Sequence, residues 1–349
     1  MRRRRFPITT RILRTSEAQG SGEMQRASER EDGMGERGVI ALDIGGTNTR
    51  VALFADPTRS LAFTSLDLLP TAEHYERELD QITKAMSKIT KGVSLNGSSD
   101  GILPDEDRIK PNGISDQASA ISIGVSIGAR LMRDGGGVAV APNLRDFEGR
   151  PFAHDLSARF GASVESARLA HDPVCGVLAE RRFGVLRDAE RCAYVTISTG
   201  TGAAIYLGST GETGQALSIE FGHQTLDGDI RECLCGQLGC LETYTGGRQL
   251  ALRYGRPLEE IEDAAVWEAL YDKLALGLVN LAQLTRVEVV ALSGAVALRH
   301  EGFLQAVRER VEKRLHGMAL RLELAALGEQ APLVGAALLP EIPAQAILH

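Results

Sequence analysis

Cysteine is scarce in this sequence, with five in 349 residues, and three of the five fall within positions 233–240. That uneven placement does not build the disulfide framework of a small secreted domain. Long apolar runs are missing too. None approaches the roughly 20 residues that a membrane-spanning helix needs, so no membrane partner is expected. No apolar run follows the N-terminal arginines, so the pattern of a secretory signal is absent and a cytoplasmic, reducing setting is expected. There is no GxxxxGK[ST] segment, which excludes a P-loop. Positive charge is short outside the first residues. Arg2 to Arg5, Arg11 and Arg14 precede the first acid, Glu17, and the net charge of −7 less these six cations leaves −13 on the remainder. An acidic body argues against nucleic acid as a main partner.

What is present begins with the thiols themselves. In "ECLCGQLGCLET" (232–243), Cys233 and Cys235 stand too close for an unstrained bridge, and pairing any two leaves a third over. Clustered thiols in a reducing compartment more often bind zinc. A structural tetrahedral site needs a fourth ligand, and His223 in "IEFGHQTL" supplies it. The predicted metal set is therefore His223, Cys233, Cys235 and Cys240, with Gly236 and Gly239 giving the loop its tight backbone. Cys175 and Cys192 read as small buried hydrophobes.

The length fits two domains of ordinary size. Residues 1–37 are polar and unpatterned, which predicts a disordered basic arm. "GVIALDIGGTNTRVALF" (38–54) reads as strand, Gly turn, strand. Tyr75, Leu79, Ile82, Met86 and Ile89 recur at helical spacing within 71–90. Residues 92–117 look like a long loop, 120–127 like a buried strand, 150–161 like a helix and 163–167 like a short strand. A helix is predicted to begin near Pro173 in "HDPVCGVLAERRFG". The opening pattern then recurs in "AYVTISTGTGAAIYLG" (193–208), followed by a helix at 263–284, a strand at 287–293 and a helix over 300–316. Two α/β halves, 38–168 and 169–349 with a loop at 223–240, suggest a duplicated domain around a central cleft.

The paired Gly turns suggest a polyphosphate held between the halves. "DIGGTN" offers the backbone N–H groups of Gly45, Gly46 and Thr47 and a threonine hydroxyl, while Asp43 can hold magnesium through water. "STGTG" offers Thr199, Gly200, Thr201 and Gly202 from the other side. Asp172, just before Pro173, serves equally well on residue type as a helix cap.

Taken together, "DIGGTN", "APNLRDFEG" (141–149), "STGTG", "EFGH" (220–223), "CLCGQLGCLE" (233–242) and "ALSGAVAL" (291–298) resemble the ROK family of sugar kinases and sugar-responsive repressors. The resemblance runs from about residue 38 to residue 340 and implies a duplicated actin-like ATPase, or ribonuclease H-like, α/β fold. It implies ATP, Mg²⁺ and a structural Zn²⁺ as cofactors, a sugar substrate and a homodimer. It makes Asp172 the general base, in a segment where the family has Asn-Asp-Ala-Asn and this chain has "HDPV". It assigns the sugar to Asn143, Glu220, His223 and Glu242, with His171 in place of a sugar-contacting asparagine, and it puts Gly294 beside the adenine. The zinc would then fix the loop that carries the sugar contacts. The expected activity is ATP-dependent phosphorylation of a hexose, glucose first, or of an N-acylhexosamine. The alternative is a non-catalytic sugar sensor, although residues 1–37 lack the apolar periodicity of the repressors' helix-turn-helix.

Overall fold

The computed structural model describes residues 38–91, 121–161, 164–208, 214–226, 228 and 230–348. The expected basic arm and the expected loop at 92–117 lie outside them. In the first half, β1 (Val39–Ile44) and β2 (Asn48–Phe54) form the predicted hairpin, and β3 (Phe63–Pro70) pairs with β2. Next come α1 (Tyr75–Lys91), β4 (Ile121–Ile127), a small ribbon of β5 (Arg130–Leu131) and β6 (Val138–Val140), α2 (Phe152–Phe160) and β7 (Val164–His171). The helix α1 forms where the spacing requires, and its five periodic apolar residues from Tyr75 to Ile89 are all buried against the sheet. The sheet order is β3-β2-β1-β4-β7, with β4 parallel to both β1 and β7.

The second half opens with α3 (Asp172–Phe183), β8 (Arg191–Ile197), β9 (Thr201–Leu207) and β10 (Gln215–Ile219). It continues through α4 (Glu242–Thr245), α5 (Gly247–Tyr254), α6 (Ala264–Thr285), β11 (Val289–Ser293), α7 (Ala295–Arg299) and α8 (Phe303–Glu312). It closes with β12 (Arg321–Leu324), α9 (Ala331–Leu338) and β13 (Ile347–Leu348). The sheet order is β12-β11-β8-β9-β10-β13. Without β13, this is the first sheet strand for strand: a three-stranded antiparallel meander, then two parallel strands reached by helical crossovers. The duplicated α/β architecture is present.

Two details differ from the sequence reading. The helix expected over 300–316 is the shorter α8, which starts only after Gly302 takes a left-handed φ of 76°, while the short α7 precedes the expected span. The first sheet continues in β7 through His171, past the boundary expected at 168, and Asp172 opens α3 directly.

The two sheets meet through a shared middle layer. Helix α3 packs on β8, β9 and β10, α9 packs on β1 and β4, and the two helices pack on each other. Their core cluster contains residues of β1, β2, α3, β8, β9 and α9. Residues Pro173 to Glu180 of α3 are all buried, and the one carboxylate among them, Glu180, accepts from the N–H groups of Val185 and Leu327. Close approach also needs small residues: a Cβ on Gly335 of α9 would stand 1.9 Å from the Cys175 carbonyl oxygen. Cys175 and Cys192 are buried hydrophobes, as read from the sequence. The start of α3 is therefore fixed from both sides, and with it Asp172.

Candidate active site

Asp172 stands where β7 ends and α3 begins, and its side chain keeps 34% exposure, so a substrate can reach it. Burial pushes its pKa up to about 7, and the nearby charge of Asp43 pushes in the same direction. A cap role does not account for it, because the N-cap of α3 is His171 and no side chain makes the capping hydrogen bond. His171 Nε2 lies 3.1 Å from Asp172 Oδ1, and His171 Nδ1 lies 2.6 Å from Ser218 Oγ on β10. Burial pushes the His171 pKa down to about 4, against the pull of Glu220, so the imidazole is neutral at pH 7. Nδ1 is thus hydrogen-bonded to Ser218, while Nε2 lies beside the Asp172 carboxylate.

The two Gly-rich turns lie at the ends of β1 and β8. In the first, Gly45 N–H closes the hairpin onto Asn48 O at 3.0 Å, and Gly46 and Thr47 lie exposed at the tip. Asp43, two residues before that turn, accepts from Ser126 Oγ at 2.8 Å on one oxygen and from Arg50 Nε at 3.0 Å on the other. In the second, Thr199 is exposed at the tip and Gly200 half-buried beside it. Thr201 turns inward: its hydroxyl meets Thr245 Oγ1 at 2.7 Å and its N–H donates to Glu242 Oε2 at 2.8 Å. A Cβ on Gly202 would stand 3.1 Å from the Pro173 ring, so this turn packs against the residue after Asp172. Gly294 has a φ of 87°, and a Cβ there would stand 2.3 Å from Ile197 O, which gives that glycine a backbone reason of its own. The predicted phosphate set therefore divides. Gly46, Thr47, Thr199 and Gly200 remain at the tips, whereas Gly45, Thr201, Gly202 and Gly294 serve turn closure and packing.

The predicted sugar residues come from both halves of the chain. Glu220 Oε1 faces Arg130 Nη1 of β5 at 3.6 Å, an exposed contact between the two halves. Asn143 Oδ1 accepts from Arg248 Nη1 of α5 at 2.6 Å, a second such contact. Asn143 also stands against the first turn, where a Cβ on Gly46 would come within 2.9 Å of its own Cβ. Glu242 has one oxygen committed to Thr201. Ser218, Arg130 and Arg248 carry no motif in the sequence. Ser218 lies 47 residues from His171, and only the tertiary structure pairs them.

His223, Cys233, Cys235 and Cys240 converge, with one ligand atom from each lying within 4.8 Å of the others. Cys233 Sγ to His223 Nδ1 and Cys235 Sγ to Cys240 Sγ are both 3.7 Å. A tetrahedron with Zn–S bonds of about 2.3 Å has edges of about 3.8 Å, so the spacing and the donor set fit zinc. Gly236 and Gly239 adopt left-handed φ values of 90° and 72° as the loop doubles back. Gln249 Nε2 donates to Cys233 Sγ at 3.2 Å, the kind of outer contact that steadies a thiolate ligand. With Nδ1 turned to the thiols, His223 keeps Nε2 for a second partner.

Comparison with known proteins places this geometry. A family model described as the ROK family matches residues 112–341. The N-acetyl-D-glucosamine kinase of Salmonella heidelberg is 27% identical over 326 residues, covering 85% of this chain and 97% of that protein. A putative xylose repressor from Caldicellulosiruptor is 26% identical over 251 residues, which are 63% of this chain and 62% of the repressor. The crystal structure of a ROK hexokinase from Thermus thermophilus is 28% identical and matches with a TM-score of 0.65, covering 86% of this chain and 97% of that one. The fold is that of the actin-like ATPases, and with a family match over more than half of its length, this chain belongs to the ROK family.

Proposed function

We propose that this chain is an ATP-dependent sugar kinase acting on a hexose or N-acylhexosamine. The observation that carries the reading is Asp172, an accessible carboxylate between the two Gly turns whose pKa lies near 7. A general base works best when its pKa is close to the working pH. Asp172 takes the proton of the sugar hydroxyl, that oxygen bonds to the γ-phosphorus, and the bond from phosphorus to the bridging oxygen breaks to release ADP. Gly46 and Thr47 on one side, with Thr199 and Gly200 on the other, are the groups we assign to the phosphates. Asn143, Glu220, His223 and Glu242 are those we assign to the sugar hydroxyls. Ionised carboxylates suit that task because they are pure acceptors.

Two metals belong to this reading. Magnesium neutralises phosphate charge when bound. Asp43 would hold it through water, since both of its oxygens already accept from Arg50 or Ser126. Zinc bound by His223, Cys233, Cys235 and Cys240 would fix the loop between Glu220 and Glu242.

The names of the relatives support a kinase and divide on the sugar, with hexose and N-acetylglucosamine both represented. A coupled ADP-release assay over glucose, mannose, galactose and their N-acetyl forms tests the proposal, with glucose and N-acetylglucosamine expected to lead. Sugar binding by calorimetry with no ADP release would favour a second reading, a non-catalytic sensor. That reading draws on the match to a putative xylose repressor.

A further inference from the structure

Arg50, Arg130 and Arg248 each contact a residue assigned above to magnesium or to the sugar, and the charges of their partners differ. Arg50 Nε donates to Asp43, and Arg130 Nη1 faces Glu220 Oε1 at 3.6 Å, so a carboxylate offsets each of these cations. Arg248 is exposed, and its Nη1 donates to Asn143 Oδ1 at 2.6 Å. A carboxamide is neutral, and among the described residues no carboxylate pairs with Arg248. Its guanidinium therefore keeps its charge and most of its N–H donors for another partner.

Both turns fix where that charge lies. Arg248 is the second residue of α5, and its own N–H donates to Thr199 O of the second turn at 2.9 Å. Its side chain reaches across to Asn143, which stands against the first turn, 2.9 Å from where a Cβ on Gly46 would lie. The guanidinium thus sits between the two tips assigned to the phosphates, bonded to a residue assigned to the sugar. When the turns hold a nucleotide's phosphates and Asn143 holds the sugar, the phosphoryl group nearest that residue is the terminal one.

We propose, resting on the kinase reading above, that Arg248 is a catalytic residue that binds the terminal phosphoryl group of ATP. Its planar fork matches two phosphate oxygens at once, which the point charge of a lysine does not. As the sugar oxygen bonds to phosphorus and the bridging oxygen leaves with ADP, charge spreads over the three remaining oxygens of the phosphoryl group. A cation already in place meets that charge without reorganising. Asp43 and Asp172 put two carboxylates at the same site, so an incoming polyanion needs such a cation beside them. The bond to Asn143 steadies the guanidinium and ties the phosphate end of the site to the sugar end through a single pair of side chains.

The test separates the terminal phosphate from the rest of the nucleotide. Calorimetry on the full chain with Mg²⁺ compares ADP with a non-hydrolysable ATP analogue that carries an imido bridge. Arg248→Met should weaken binding of the analogue about tenfold and leave ADP within about twofold. Arg248→Lys should weaken the analogue by less, because it keeps the charge and loses only the fork. In the ADP-release assay, Arg248→Met should lower kcat about 100-fold while the sugar KM stays within about threefold. Equal losses for ADP and the analogue overturn the proposal, since the cation would then serve the inner phosphates. A raised sugar KM at unchanged kcat also overturns it, because Arg248 would then only brace Asn143. ADP release by the wild type with unaltered nucleotide discrimination in Arg248→Met removes Arg248 alone. A wild type that binds neither nucleotide and releases no ADP with any sugar sinks the kinase reading, and this assignment with it.

Discussion

The two Gly-rich turns come from equivalent hairpins, yet they are held in different ways. The first, at residues 45–47, is braced from its own half: Thr71 Oγ1 donates to Gly45 O at 2.8 Å and Thr71 N–H donates to Thr47 O at 3.0 Å. The second, at residues 198–201, is braced by the segment that leaves the thiol loop. Glu242 accepts from Thr201 N–H, Thr245 meets its hydroxyl, and the N–H groups of Gly247 and Arg248 donate to Ser198 O and Thr199 O. The hairpin is repeated in both halves, while the bracing differs between them. The second turn is thus braced directly by the segment that leaves the metal loop, whereas that segment reaches the first only through Asn143, which stands against Gly46 and accepts from Arg248.

The largest expected effect lies between the turns and should spare both. Asp172→Asn should lower kcat by about 10²- to 10⁴-fold while sugar affinity stays within about tenfold, measured by ADP release and calorimetry. Near-normal turnover would remove Asp172 from the chemistry. Next comes the metal. Purified protein should contain a zinc ion per chain by elemental analysis, and Cys240→Ser should lose it, with weaker ATP and sugar binding as the second turn loosens. Retention of full affinity in a zinc-free variant would uncouple the loop from the turn and break the comparison.

Smaller effects sharpen it. Glu242→Ala leaves the Thr201 N–H without its carboxylate and should cost about 1–3 kcal/mol of stability by urea denaturation. Thr71→Val at the first turn should cost less, about 0.5–1.5 kcal/mol, since it removes a neutral hydroxyl that donates to Gly45 O and meets Thr49 Oγ1, and leaves no charged group unpaired. Equal costs would mean that the two braces are equivalent. A further effect is on stability against pH. The folded pKa of Asp172, about 7, is above its unfolded value near 3.8, so the folded state binds the extra proton between them. Its stabilising contribution is complete below the unfolded value and is lost as pH rises through about 7. The thermal midpoint of Asp172→Asn relative to wild type should therefore be higher at pH 8 than at pH 5. A difference independent of pH would mean that Asp172 titrates normally.

Much of this was legible in the chain because it rests on local rules. The spacing of Tyr75, Leu79, Ile82, Met86 and Ile89 dictated α1, since an apolar stripe at that period can be buried in only one way. The repeated strand, turn and strand announced two similar sheets. Three thiols in one short loop with a histidine upstream announced a tetrahedral donor set, because ligand type and spacing are properties of sequence. The division of the phosphate residues was not legible. Gly45 and Gly46 are neighbours with the same chemistry, and only the hairpin register spends one N–H on Asn48 and leaves the other residue exposed at the tip.

What the sequence determined by itself was the set of chemical groups and the elements that carry them: two hairpins with permissive turns, an aspartate before a proline, four metal-ligating side chains. What only the tertiary structure decided was which of those groups still have a free hydrogen-bonding site and which partners hold them. His171 meets Ser218 because β7 and β10, in different sheets, converge on the start of α3, which the α3–α9 layer between those sheets fixes in place. Hydrogen bonds and pKa shifts depend on distances of a few ångströms across the chain fold, and no pattern along the sequence encodes a distance between residues 47 positions apart.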